Sequence, residues 1–517
     1  MVNYLYGARV NGIQSHIFQT GKLKEIIGAS EQVEAICHDK FEESLGRSFK
    51  QDQCILAAAG KVLYIFTDRE ECERHVYHFP KTISEFAPGV HFSQALIEFE
   101  GDLEREHIDV IEERLEIQSH KQNALGLFSN MFAKRSPRTG GPVTKVISTK
   151  DGEEYWDEVQ EAKNQESSPK ENANASERLF RKILKGDFEK YESHFSTDIQ
   201  ELLENRELGW IAVLHADGNS LGKKIQGCLK KLPTGKVQGF LQEFSSLLEE
   251  ATTRASNIAF FQEIEPVFSK ELKENPYNSI PFRPVILGGD DLTMILRGNL
   301  AFDYAQAYLR AFEIQTRIQL GGLASHFGLE KELGEGLSAC AGIAYIKFNY
   351  PFHYGVDLSE SLCKYAKGVS KKLNPDSPSS SLAFYKVQSS FTEDFNHIIE
   401  KELTAGTKSN PIRFNYGPYF LDPHPGYSTT KNLKRWSEKL AQPESPNTNL
   451  REWLSMLSIN DENATNLMRR IRTLYPSSKK GLKLENPFPR TEKVLIGGKE
   501  IPVRYTHVFD AMSLSSI

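Results

Sequence analysis

The sequence pairs none of its cysteines closely. The six, Cys37, Cys54, Cys72, Cys228, Cys340 and Cys363, form no CxxC, which argues against a structural zinc site. Scattered thiols without a secretory leader point to a reducing, cytoplasmic setting. The opening residues, MVNYLYGARVNGIQ, carry neither a basic segment nor an apolar stretch of the leader kind. No apolar run approaches the ~20 residues that a membrane span needs. A basic excess is also lacking. Lys and Arg number 63 against 69 Asp and Glu, a formal charge of −6, so nothing global announces a nucleic-acid binder. What remains, 39% hydrophobic and 26% charged over 517 residues, is a soluble globular composition with room for about three to four domains.

The most informative run is Gly288-Gly289-Asp290-Asp291, set between apolar stretches at 284–287 and 292–296. Two glycines permit a tight hairpin turn and let a bulky ligand approach the backbone. Adjacent carboxylates at its tip call for a positive charge between them, commonly a divalent metal. Upstream, Trp210 to Ala216 reads as a buried strand ending in Asp217-Gly218-Asn219-Ser220-Leu221-Gly222. A carboxylate at a strand end, followed by a turn into a helix, suits phosphate work, because amides at a helix start attract phosphate oxygens. If the two strands pair, Asp217, Asp290 and Asp291 converge. Three acids at one point suit two Mg²⁺ (or Mn²⁺) ions about 3.5–4 Å apart for phosphoryl transfer. Taken singly, the acidic run serves equally well as a solvated turn, and Asp-Gly-Asn-Ser is an ordinary turn signal.

The periodicity places a β–α–β–β–α–β order in residues 1–150, a ferredoxin-like pattern. Gln14 to Cys37 reads as helical with a break at Gly28-Ala29-Ser30, where Ser30 caps a second helix. Residues 151–206, rich in Glu, Lys, Ser and Asn, read as a charged connector with exposed helices and loop signals at 167–169 and 172–174. Residues 207–390 repeat the first order, with the acidic hairpin over 284–297. Residues 391–517 read as a helical domain, with a hairpin added near 486–503. The fold class expected is α+β: two ferredoxin-like units plus a C-terminal helical domain.

Several motifs together resemble the palm-domain polymerase–cyclase family of CRISPR-associated proteins. That family comprises the large "Cas ten" subunit of type III effectors and its shorter stand-alone relatives. The similarity rests on ADGNSLG at 216–222, LGGDD at 287–291, SACAGIAY at 338–345 and KYAKGVSKK at 364–372. IQSHIFQTGKLKEIIGAS at 13–30, RTGGPV at 138–143 and GPYFL at 417–421 add to it. The resemblance implies palm domains of the GGDEF-cyclase kind and two-metal nucleotidyl transfer. ATP or other nucleoside triphosphates would be joined into a cyclic di- or oligonucleotide messenger of antiviral defence. It implies Asp217 and Asp290 as metal ligands, with Asp291 assisting and the Gly218 carbonyl joining them. Asn219, Ser220 and Gly222 would cradle the triphosphate beside Gly288 and Gly289, and Lys367 and Lys371 would neutralise its outer phosphates.

Two departures from the family pattern stand out. Ala57-Ala58-Ala59-Gly60-Lys61 replaces an acidic hairpin in the first unit, which makes that palm degenerate and metal-free. Such a palm would serve as an acceptor-nucleotide platform, with Gly28 and Ser30 as contacts. The family's nuclease domain is not expected here; His38-Asp39 is an HD dipeptide read as helix surface. An alternative reading is a scaffold subunit, active only with effector partners and guide and target RNA. A third is a nucleotide sensor without turnover. A homo-oligomer is compatible with any of them.

Overall fold

The computed structural model describes residues 2–121, 132–149, 152–167, 177–196, 198–203, 209–388, 394–407, 409–476, 481–496 and 499–517. The loop signals at 168–169 and 172–174 lie outside the described residues.

The first unit runs β1 (Val2–Asn11), α1 (Ile13–Ile17), α2 (Leu23–Cys37), α3 (Asp39–Leu45), β2 (Cys54–Ala58), β3 (Lys61–Phe66), α4 (Arg69–Phe86), β4 (His91–Glu100) and α5 (Arg105–His120). Its sheet has the order β2-β3-β1-β4, antiparallel throughout. Alternation along β1 splits the core between the two faces. Tyr6, Ala8 and Val10 join an aromatic cluster with Phe41, Phe66 and Phe79, while Leu5 faces Ile97 and Ile111. Asp68 caps α4 through the amide of Glu71.

Between the units lie β5 (Lys145–Thr149) and β6 (Gly152–Trp156), which form a hairpin, then α6 (Glu158–Glu166), α7 (Arg178–Leu184) and α8 (Phe188–Tyr191). The expectation of exposed helices is corrected here. Leu179, Phe180, Ile183, Leu184, Phe188 and Tyr191 are buried. The charged residues disguised an apolar face that packs on the second unit, with Phe180 against Phe282 and Tyr191 against Phe260.

The second unit runs β7 (Trp210–Gly218), α9 (Leu221–Leu229), α10 (Val237–Ala259), α11 (Glu265–Glu274), β8 (Phe282–Gly288), β9 (Asp291–Arg297), α12 (Gly298–Phe327), α13 (Glu330–Leu333), β10 (Ala339–Lys347), α14 (Phe352–Leu373) and β11 (Ser381–Lys386). Its four core strands take the order β10-β7-β9-β8, the first unit's order again. β11 extends it in parallel beside β10. Ferredoxin-like topology is thus present twice.

The third part holds α15 (Phe395–Lys401), β12 (Thr404–Thr407), β13 (Asn410–Arg413), β14 (Tyr419–Phe420), α16 (Thr430–Leu440), α17 (Asn447–Met456), α18 (Asp461–Leu474), β15 (Arg490–Ile496), β16 (Lys499–Tyr505) and α19 (Val508–Leu514). The expected hairpin is β15–β16. β12 and β13 extend it to a four-stranded sheet beside the helices, which the Pro-broken helical pattern had hidden.

Asp510 on α19 is buried, and its Oδ2 accepts from the amides of Tyr416 (3.0 Å) and Gly417 (3.2 Å) and from the Tyr419 hydroxyl (2.7 Å). Burial nevertheless pushes the carboxyl up to about 7. A raised carboxyl binds its proton more tightly folded than unfolded. Its contribution to stability is therefore present below pH ~4 and lost as pH rises toward 7. Asp510→Asn is expected to flatten the fall in Tm between pH 5 and 8 and to be the more stable protein at pH 8. Parallel slopes for the two proteins would refute this.

Candidate active site

The pairing of β7 with β9 sets the site. His215 lies opposite Thr293 and Ala216 opposite Leu292, so Asp217 arrives beside Asp291. The turn between β8 and β9 is Gly289-Asp290, with Gly289 at φ 60°. Its carbonyl accepts from the buried hydroxyl of Thr252 on α10 at 2.5 Å. Gly218 is required by space, since a Cβ there would stand 2.5 Å from Asp290 Oδ2. On the outer side, a Cβ on Gly288 would be 2.9 Å from the Cβ of Ala59. The alanine-rich turn of the first palm therefore presses against the acidic turn of the second.

Helix α14 crosses β10 closely and delivers Lys367, whose Nζ pairs with Asp217 Oδ2. One turn further, Lys371 lines the same cavity of about 550 Å³ as Asp217, Gly218, Ser220, Gly222, Asp290 and Lys367. Helix α9 opens onto it, with Ser220 at its N-cap. The first-turn amides of that helix have no intrahelical acceptor and carry the positive end of its dipole.

Burial, reinforced by Asp217, raises the carboxyl of Asp290. Burial, then Asp290 and Asp217, raises that of Asp291. Burial also lowers His215 to about 4 and keeps its ring neutral. A ring nitrogen of His215 and carboxylate oxygens of Asp217 and Asp291 all lie within 4.8 Å of one another. Three carboxylates held together against one lysine, each disfavouring its neighbours' charge, fit a divalent cation, which would offset that repulsion.

The structure thus brings together Asp217, Gly218, Ser220, Gly222, Asp290, Asp291, Lys367 and Lys371. Asn219 is turned away. It is buried, with its amide on Ser338 O (2.8 Å) and its Nδ2 on Ser338 Oγ (3.0 Å), so it holds the turn. Gly288 and Gly289 shape the hairpin rather than line the cavity.

Gly28 and Ser30 are corrected. Helix α2 runs unbroken through them. A Cβ on Gly28 would lie 1.7 Å from the Lys163 carbonyl, and Ser30 Oγ donates to Val285 O at 2.5 Å. Both are interior contacts and face no ligand space. The first palm meets α14 at and just after α1, beside a cavity that shares no lining residue with the acidic one. Gln14, Ser15 and Gln19 line a cavity of about 390 Å³ with His353, Asp357 and Glu360 of α14. His38 ends α2 rather than lying within a helix, and Asp39 pairs with Arg178. Residue-by-residue reading missed His215 and Thr252. His215 had a signal, standing two positions before Asp217 on the same strand face.

Among the described residues no helix is long and apolar enough to cross a membrane. No curated protein matches the chain. Among solved structures it is similar to a chain of a Csm1–Csm4 cassette in complex with cA3. That match has 13% identity and a TM-score of 0.50, covering 100% of this chain and 70% of that one. A cassette in complex with cA4 matches at 13% and 0.49, covering 99% and 69%. One in complex with AMPPNP matches at 13% and 0.42, covering 71% of this chain and 53%, about half, of that chain. The family model for the second palm domain of Cas10/Cmr2 matches residues 210–374, the segment that carries both acidic strands and Lys367. Residues 210–374 are accordingly similar to the second palm domain of Cas10/Cmr2.

Proposed function

We propose that the chain is a divalent-metal-dependent nucleotidyltransferase that joins ATP, or another nucleoside triphosphate, into a cyclic oligonucleotide and releases pyrophosphate. The observation that carries this reading is the convergence of Asp217, Asp290 and Asp291 with Lys367 at the mouth of α9, in one cavity. Cassettes similar in fold were solved with cA3 and with cA4, which supports a product of that class.

Asp217, Asp290, Asp291 and the Gly218 carbonyl would hold two Mg²⁺ or Mn²⁺ ions. When bound there, these lower the pKa of an attacking ribose hydroxyl and offset charge on departing pyrophosphate. The chain's own groups do the rest. The free amides of the first turn of α9 bind triphosphate oxygens. Lys367 and Lys371, one turn apart on α14, place two ammonium groups where negative charge accumulates. Thr252 and Ala59 hold the acidic turn in place before substrate arrives.

The test is incubation with ATP and Mg²⁺ or Mn²⁺, reading pyrophosphate and identifying the product by mass spectrometry. Asp290→Ala/Asp291→Ala is expected to yield none, and equal yield from that variant would end this reading. Mixed nucleotides in the same assay report base preference and ring size. Activity that appears only after co-purification with small protein subunits and RNA would favour the effector-subunit reading.

A further inference from the structure

The acidic triad does not stand alone on its sheet face. Strand alternation puts His215 on the same side of β7 as Asp217. The pairing with β9 sets His215 opposite Thr293 and next to Asp291. His215 is 8% exposed and Thr293 is fully buried. The ring's Nδ1 lies 3.1 Å from Thr293 Oγ1, and that hydroxyl has no other partner among the described residues. With Nδ1–H donating to the hydroxyl, Nε2 keeps its lone pair and, among the described residues, has no hydrogen-bond partner. A neighbour that fixes one ring nitrogen and leaves the other bare is how metal-binding imidazoles are oriented. The donor atoms of His215, Asp217 and Asp291 already stand within 4.8 Å of one another. The same register carries Asp217 and Asp291 into the next row of that sheet face, so both carboxylates stand together on one side of the ring.

We propose that His215 is a nitrogen ligand of the metal site, and that with Asp217 and Asp291 it selects a first-row transition divalent cation over Mg²⁺. The inference deepens the reading of the acidic site given above and rests on it. Imidazole suits transition ions, whereas Mg²⁺ takes oxygen ligands and keeps its water. Carboxylate oxygens alone, which suit Mg²⁺ and Mn²⁺ alike, discriminate less between them. Thr293 is then a positioning residue: it touches no metal and sets the ring's tautomer.

The test is direct binding of Mn²⁺ to the full chain without nucleotide. Calorimetry gives affinity. Pulsed electron paramagnetic resonance on protein labelled with ¹⁵N-histidine reads the metal–nitrogen coupling. The wild type is expected to show a directly coordinated histidine nitrogen. His215→Asn retains a group at the Nδ1 position for Thr293 and removes Nε2. It should abolish the coupling and weaken Mn²⁺ about tenfold or more, while shifting Mg²⁺ affinity less than about threefold. Thr293→Val should keep the coupling and weaken Mn²⁺ by an intermediate factor.

Bound Mn²⁺ without histidine coupling in the wild type would overturn the inference, and that measurement needs no variant to fold. Equal losses of Mn²⁺ and Mg²⁺ affinity in His215→Asn would also overturn it, since they mark a structural residue. Wild-type protein that binds neither ion and makes no product from ATP would overturn the active-site reading itself. Product formation without histidine coupling would leave that reading standing and remove only this one.

Discussion

Asp217→Asn is expected to cut product formation about a thousandfold or more while leaving the protein folded. Asp217 is the residue every other part of the site meets. It pairs with Lys367, and its charge raises the carboxyls of both Asp290 and Asp291. Asparagine keeps the shape and removes the charge, so packing along β7 is retained. A thousandfold loss corresponds to about 4 kcal/mol at ~1.4 kcal/mol per decade. Removing one group that stabilises developing charge in a preorganised site costs about that much. Stability should move far less, because two effects oppose each other. Lys367 loses its nearest partner, and two carboxylates lose a repelling neighbour. The Asp217 side chain is 34% exposed, so its pairing is partly screened and worth no more than about 1 kcal/mol. Rates of pyrophosphate release and Tm with and without Mg²⁺ check both halves. The wild type should gain Tm with the ion, and the variant should lose most of that gain. Wild-type turnover in the variant would remove Asp217 from the mechanism.

How much of this was legible in the chain follows from which contacts are local. The acidic hairpin and the strand ending in Asp217 are written in short runs, and the β–α–β–β–α–β order is carried by periodicity. That is why both palms and the convergence of three carboxylates could be read in advance. Gly28 and Ser30 were misread because a glycine within a helical pattern has two causes, a break or a close approach. The cause here is the carbonyl of Lys163, some 135 positions away in sequence, and no local pattern encodes it. The buried faces of α7 and α8 were hidden by their charged neighbours. The strands β12 and β13 are four residues each, too short for alternation to stand out. Asn219 sits where a phosphate-cradling loop would use it, yet Ser338, on another strand's approach, draws it inward. His215 was visible as a period-two partner of Asp217 and was passed over because the strand read as wholly apolar.

Gly342→Ala is expected to be the most damaging small substitution in the second palm. Gly342 sits mid-strand in β10 beneath α14. A Cβ added there would stand 2.0 Å from the Ser359 carbonyl oxygen, 2.5 Å from the Cys363 amide nitrogen and 2.8 Å from the Leu362 Cβ. Two of the three are backbone atoms, so no rotamer change relieves the clash; the helix must lift by more than an ångström to reach the 3.4 Å of ordinary contact. Overpacking of this kind costs about 1–3 kcal/mol where side chains can yield, and more where backbone must. A loss on the order of 3 kcal/mol would lower Tm by about 10 °C. The same displacement acts on function, because α14 carries Lys367 and Lys371 to the cavity. Misplacing a catalytic group by about 1 Å costs on the order of a hundredfold in rate. Gly368→Ala on the same helix is the control. Gly368 is exposed, and nothing lies within 4 Å of its would-be Cβ. Its substitution should stabilise α14 by about 1 kcal/mol through helix propensity. If both variants shifted Tm upward, close packing of α14 on β10 would not be what places the two lysines.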